Sequence, residues 1–233
     1  MKKAEPTAQK QEPAAPRRTA SLAGYQKGQE ARQRILDAAL QVFAQTGFQA
    51  AGTRQIAELA GVTLPSLQYY FGGKQGLYEA CAQAVASRFI ALTAAPSQAA
   101  AAILAGPAQP TALRAALKQT MAAVATVMIA TEESRLWGAF AARELLDPGP
   151  GFAIMMDRLW SPGIALIAEM MARLQGRERA DEQARIRAML MIASLTAFQS
   201  GRAVALRTMG WDGLGAQQLA AILRAIDAEI DSL

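Results

Sequence analysis

Histidine is absent from the 233 residues, and cysteine occurs once, at Cys81. Without histidine there is no Ser-His-Asp or Cys-His nucleophile system and no histidine-containing metal site. One thiol forms neither an intrachain disulfide nor a thiolate metal site, and it fits a reducing cytoplasm. Aromatic residues are 6% of the chain, β-branched residues are sparse and alanine is abundant, which points to helices and away from sheets. No G-x-G-x-x-G, G-x-x-x-x-G-K-[ST] or G-x-S-x-G motif occurs. The carboxylate pairs Glu132-Glu133 and Asp181-Glu182 are adjacent in sequence, and adjacent residues on a helix do not face one site. The expectation is therefore no catalytic residue, no metal and no cofactor. No apolar run reaches the ~18 residues of a membrane span, and the first residues lead into a polar Pro/Ala/Gln segment rather than a secretory signal. A cytoplasmic location and no membrane partner follow as expectations.

Charge is distributed unevenly. Residues 1–78 hold ten Lys/Arg against five Asp/Glu, whereas residues 79–233 hold fourteen of each, so the formal net charge of +5 belongs to the first third. Such an asymmetry attracts phosphate, although a charged tail also serves solubility alone. Residues 1–28, rich in Pro, Ala and Gln and without periodicity, are expected to be a disordered basic arm. Its Lys2, Lys3, Lys10, Arg17, Arg18 and Lys27 either track phosphates or belong to a passive tail.

Residues 53–74, TRQIAELAGVTLPSLQYYFGGK, read as two short helices around a tight turn. Thr53 is an N-cap candidate, and Ile56, Ala57 and Ala60 form the apolar face of the first helix. Gly61 supplies the permissive φ that ends it, and Val62 anchors the turn. Thr63 caps the second helix, with Pro65 in its first turn. Only Leu67 and Phe71 are placed to point inward there. Leu64, Pro65, Ser66, Gln68, Tyr69, Tyr70 and Lys74 are left outward, the form of a helix-turn-helix reader. A preceding helix over residues 29–45 buries Ile35, Ala38, Ala39, Val42 and Phe43 and stops at Gly47.

With Phe43, Gly47 and Phe48, then Thr53, Ile56, Ala57, Ala60, Gly61 and Val62, then Tyr69, Phe71, Lys74 and Leu77, residues 32–77 resemble the DNA-binding domain of the TetR/AcrR family of transcriptional regulators. The resemblance implies an all-α fold: a three-helix helix-turn-helix domain over 29–76 and a larger ligand-binding and dimerisation domain over 77–233. It implies that Arg54 and Gln68 face base edges, and that Leu64 and Pro65 touch thymine methyls. Thr53, Thr63, Ser66, Tyr69, Tyr70 and Lys74 are then phosphate-side contacts, with packing against the first helix as the alternative for Tyr69 and Tyr70. Gln68 departs from the tyrosine common at its position.

The remaining expectations concern the body. A helix from Gly73 to about Leu92 joins it to the head; residues 96–110 read as a connector with one or two helical turns across Gln98–Leu104. Helices follow over 111–129, 132–146, 152–174 (interrupted near Pro162-Gly163), 181–209 and 215–230. Arg143, Glu144, Asp147 and Pro148, with the later Gly210-Trp211, resemble the C-terminal domain of a CecR-like subgroup. Nine of ten methionines lie between Met121 and Met209, which suits either a pliable ligand pocket or gap-filling among alanines. Trp137, Phe140, Phe152, Met155, Met156, Trp160, Met170, Met191 and Phe198 are candidate pocket lining, with Arg135, Glu144, Gln199 and Arg202 as polar anchors. Ala193, Ala197, Gly201 and Ala205 form a small-residue ridge, and Leu219, Ile222, Leu223, Ile226, Ile230 and Leu233 an apolar stripe. Both are expected at a homodimer interface, the alternative being packing within one subunit. The function expected is a dimeric regulator, most simply a repressor, that binds double-stranded DNA at a palindrome and is released by a small effector. The alternatives are a sequence-indifferent architectural DNA binder and a small-molecule carrier or enzyme using the apolar body.

Overall fold

The structure, a computed structural model, describes residues 18–107, 109–130 and 132–233. Every regular element among them is helical. In order these are α1 (Arg18–Ala50), α2 (Thr53–Ala60), α3 (Leu64–Phe71), α4 (Lys74–Leu104), α5 (Pro110–Ala125), α6 (Glu132–Leu146), α7 (Phe152–Met155), α8 (Ser161–Leu174), α9 (Glu182–Gln199), α10 (Arg202–Met209) and α11 (Ala216–Asp231). Two π-helical turns complete the body, Thr126–Ala130 after α5 and Met156–Trp160 between α7 and α8.

The expectations for Lys2, Lys3, Lys10 and Arg17 lie outside the described residues. Those for residues 18–28 are corrected, because α1 starts at Arg18 and not near residue 29. From there to Gly47 the chain has no proline, and its Ala, Leu, Gln, Lys, Arg and Glu are good helix formers. Gly47 ends the regular helix with φ 78°, in the left-handed region.

Four other expectations change. Gly52, not Thr53, is the N-cap of α2, with extended backbone and no side-chain cap; Thr53 is the first helical residue. α4 runs through Pro96 to Leu104 where a connector was expected. The missing N–H of Pro96 costs one intrahelical bond, and the alanines around it, with Ala100, Ile103 and Leu104 packed on the body core, outweigh that loss. The interruption near Pro162 takes the form of the π-helical turn just before it.

The fourth change concerns the long helix expected over 181–209, which is two helices, α9 and α10, bent by 80°. The Thr196 carbonyl accepts from both the Ser200 N–H (2.8 Å) and the Gly201 N–H (3.2 Å). A Cβ at Gly201 would lie 2.6 Å from the Ala197 carbonyl oxygen, so the turn needs glycine. Ala193, Ala197, Gly201 and Ala205 therefore do not form one straight ridge.

Two cores result. The first joins Ile35, Val42 and Phe43 of α1, Ile56 of α2 and Leu67 of α3 to Leu77, Tyr78, Cys81 and Val85 of α4, and it also contains Phe140 of α6 and Met155 of α7. The second gathers Leu113, Leu117 and Met121 of α5, Ile167, Met170 and Met171 of α8, Met191 and Leu195 of α9, and Ile222, Ile226 and Ile230 of α11. The last three are buried within the subunit, which removes them from the interface; an apolar stripe alone does not distinguish an inner partner from an outer one. Leu219, Leu223 and Leu233 pack against the same core. Among the described residues one helix, Pro110–Ala130, is long and apolar enough to cross a membrane, contrary to the sequence reading. Its Leu113, Ala116, Leu117 and Met121 are buried where α5 packs on α4, α8 and α11, the position of a core helix.

Candidate nucleic-acid interface and ligand cleft

The reading head is built as the residues dictate. Gly61 has φ 63° and ends α2, and the Val62 N–H closes back on the Ala57 carbonyl at 3.0 Å. Thr63 is the N-cap of α3: its Oγ1 accepts from the Ser66 N–H and contacts the Ser66 hydroxyl at 2.9 Å. Leu67 anchors α3 in the first core, while Leu64, Pro65, Gln68 and Tyr69 are exposed, Tyr69 to 84%. Arg54, in the first turn of α2, is exposed on the head as well.

Three DNA-side candidates are already engaged. The Gln68 amide folds back and donates to the Gly72 carbonyl at 3.0 Å, so base reading requires it to swing out of this C-terminal cap. Releasing such an exposed hydrogen bond costs about 0.5–1.5 kcal/mol. The Lys74 ammonium donates to the Gln49 carbonyl at 2.9 Å and lies 5.0 Å from the Phe48 ring centre, so it holds the turn after α1 as well as presenting charge. Tyr70 is half-buried against the first core, and its hydroxyl would meet a Cβ at Gly28 at 3.4 Å. Of the two tyrosines, Tyr70 is the one that packs on α1, which corrects its placement among phosphate contacts.

Between head and body lies a joint that no ligand reading of the sequence anticipated. On α6 the Arg143 Nε donates to the Ala44 carbonyl at 2.8 Å, and its Nη2 donates to the Gln45 carbonyl, so one guanidinium closes the C-terminal end of α1. Its neighbour Glu144 is fully buried and accepts from the Tyr78 hydroxyl of α4 and, at 3.3 Å, from the Gly149 N–H. Tyr78 rests edge-on against Phe43 and Phe48 and tilted against Phe140. Burial, then the hydrogen bond to Glu144, raises the Tyr78 hydroxyl above its usual pKa and keeps it a donor. Burial also raises Cys81, with Asp37 adding to the shift, and leaves it a core thiol. The glycines of the 147–151 turn are required by this joint. A Cβ at Gly149 would lie 2.9 Å from Glu144 Oε1, and one at Gly151 would meet Ala82 at 3.0 Å and Tyr78 at 3.2 Å. Tyr78, Gly149 and Gly151 were missed; the Gly-Pro-Gly run after Arg143-Glu144 was the available signal.

The apolar residues proposed as one ligand lining do not meet. Phe140 and Met155 are buried in the first core, with Trp137 and Trp160 against it. Phe152 meets Trp160 edge-on, with ring centres 5.7 Å apart. Met156 is exposed, and Met170 and Met191 fill the second core, with Phe198 beside them. Phe198 stacks on Trp211 across the α9–α10 break, which gives the Gly210-Trp211 element a packing role. Glu144 belongs to the joint, not to a ligand. Three of the four polar anchors do converge: Arg135, Gln199 and Arg202 line one cleft of about 280 Å³ with Met128, Ile129, Gly138, Ala139, Ala142 and Ser200. Among the described residues, no group of acids, histidines or cysteines is placed to hold a metal ion.

A helix-turn-helix head joined through a buried polar contact to a helical body with a cleft defines a DNA-binding regulator. The description of the tetR family of bacterial regulatory proteins matches residues 35–81, and that of the C-terminal domain of the HTH-type transcriptional dual regulator CecR matches residues 113–233. The chain belongs to the TetR family of transcriptional regulators, with a CecR-type C-terminal domain. It is 29% identical over 208 residues to the HTH-type transcriptional dual regulator CecR of Shigella flexneri, covering 88% of this chain and 92% of that one. It is 54% identical over 44 residues to the regulator RutR of Escherichia coli K12, 19% of this chain and 21% of the relative. A TetR-like transcriptional regulator from Rhodococcus sp. RHA1 has the same fold, with TM-score 0.55 at 22% identity over 87% of this chain and 96% of that one. The fatty acid degradation regulator FadR from Bacillus halodurans superposes with TM-score 0.54 at 17% identity, over 85% and 97%.

Proposed function

We propose that the chain is an effector-responsive regulator that binds a palindromic operator as a homodimer and is released when a small molecule occupies the body. The observation that carries this reading is the course of α6. Its Gly138, Ala139 and Ala142 line the cleft, and the next two residues, Arg143 and Glu144, hold the C-terminal end of α1 and Tyr78 of α4. A ligand that shifts α6 therefore acts on the head through a rigid contact, provided it binds the DNA-free arrangement better. The name of the Shigella relative describes a dual regulator; for this chain release from DNA is the simpler expectation, with repression as its outcome.

In this reading Arg54, Gln68, Leu64 and Pro65 contact bases, and Thr53, Thr63, Ser66, Tyr69 and Lys74 the phosphates. Dimer contacts fall on the outer face of α9, where Ile186, Met189 and Leu190 are exposed beside Ala193 and Ala197, and on the alanine-rich outer side of α11 around Ala220. An apolar helix face of this kind is covered by a partner in soluble proteins. The reading head then begins with α1 at Arg18, and its interior is completed by α4, α6 and α7 of the body. Selection of bound fragments from genomic DNA tests the whole reading. The expected result is a short palindrome; enrichment without a common sequence rejects it in favour of an architectural binder.

A further inference from the structure

The cleft at the α9–α10 break has a chemistry of its own, and the ligand class assigned to it rests on the reading of that cleft as the effector site. Arg202 opens α10, and Gln199 and Ser200 end α9, so the 80° bend turns three polar groups toward α6. Among the described residues, neither the half-buried guanidinium of Arg202 nor the side-chain amide of Gln199 has a hydrogen-bond or ion-pair partner. The Gln199 amide lies in the space left by Gly138: a Cβ there would be 2.5 Å from its Nε2, so glycine on α6 makes room for it. Arg135 adds a second guanidinium to the rim, and no acid is among the described lining residues. The lining also has an apolar part, made of Met128 and Ile129 from the π-helical turn after α5 and Ala139 and Ala142 of α6.

Among the described lining residues, the unpartnered guanidinium of Arg202, a neutral amide and the lack of an acid favour an anion. A guanidinium fork matches the two oxygens of a carboxylate in a plane, and the amide offers a further N–H. A volume of about 280 Å³ is at the small end of ligand sites. With the pliable Met128 in its lining, it fits one ring or a short chain. We infer that the cleft binds a small organic monocarboxylate, its carboxylate on Arg202 and Gln199 and its apolar part against Met128, Ile129 and Ala142.

The test is calorimetric titration of the full chain with matched acid and amide probes: benzoate and benzamide, phenylacetate and phenylacetamide, hexanoate and hexanamide, with inorganic phosphate alongside. At least one acid is expected to bind at least tenfold more tightly than its amide and than phosphate. Arg202→Gln should abolish that preference, Arg202→Lys should restore part of it, and Ala142→Phe, which fills the cleft, should block all the probes. Melting curves show that each variant is folded. Absence of acid binding, equal binding of acid and amide, phosphate binding as tight as the acid, or acid binding indifferent to Arg202→Gln each overturns the inference. Operator affinity measured with and without the bound acid separates the two claims. An Arg202-dependent acid that leaves DNA binding unchanged keeps the anion site and rejects its effector role. Release of DNA by a neutral amide, insensitive to Arg202→Gln, keeps the effector role and rejects the anion site.

Discussion

Tyr78→Phe tests the joint between head and body with the smallest possible change. It removes one hydroxyl from a ring that stays packed on Phe43, Phe48 and Phe140. Glu144, fully buried, is left with the Gly149 N–H at 3.3 Å as its remaining donor. A hydrogen bond to a charged group contributes about 1.5–3 kcal/mol, and that is the expected loss of stability. For a protein of this size each kcal/mol is worth roughly 2–4 °C, so the melting temperature should fall by about 3–12 °C. Glu144→Leu alone should cost a comparable amount, because it strands the Tyr78 hydroxyl and the Gly149 N–H. The double variant should recover the part of the loss that comes from the Tyr78 hydroxyl, since two apolar groups then meet between α4 and α6 and only the Gly149 N–H is left without its acceptor. Thermal unfolding of the four proteins in one buffer measures this coupling. Operator titration should show DNA still bound by Tyr78→Phe, with effector release weakened. Strictly additive losses, or an unchanged melting temperature for Tyr78→Phe, would refute the account of the joint.

Other perturbations separate reading from scaffolding. Arg54→Ala should cost about 1–3 kcal/mol of operator binding and relax specificity, as read by binding to single-base operator variants. Lys74→Ala should lower the log–log salt slope of DNA binding by about one unit and also lower the melting temperature, because its ammonium holds the Gln49 carbonyl; an unchanged salt slope would make it purely structural. Leu190→Glu, on the exposed face of α9, should shift sedimentation from dimer to monomer and abolish tight operator binding. Stability should fall at alkaline pH, since Tyr78 and Cys81 both have folded-state pKa values above their unfolded ones. Their contribution is complete below the unfolded values, about 8.5 for a thiol and about 10 for a phenol, and is lost as pH rises beyond them. Denaturant melts from pH 8 to 11 should show that decline, shallower above pH 10 in Tyr78→Phe.

The head was legible because its signals are local. Gly61 and Thr63 each fix a backbone feature within a few residues, Leu67 is marked as the inward residue between them and the helix end, and all three take those places in the structure. The body was legible only in outline. A stripe such as Ile222, Ile226 and Ile230 states that a face is buried, not by what, and the partner turned out to be α5 of the same subunit. The 80° bend depends on Gly201 meeting the Ala197 carbonyl, a contact within the helix that a glycine in an alanine-rich run does not announce. Polar anchors were easier to place than apolar lining. Arg135, Gln199 and Arg202 do converge, whereas the aromatic and methionine side chains were drawn into two separate interiors.

The first core has a consequence for anyone wishing to recombine this protein. Phe140 and Met155 are as much part of it as Ile35 and Leu67, and Arg143 closes α1 from the far side of the chain. A chimera cut at residue 76 and joined to a foreign body would uncover Phe43 and leave the end of α1 without its guanidinium. The unit that can be transplanted is larger: the head, the first turns of α4, and the stretch from α6 through α7 that completes its interior.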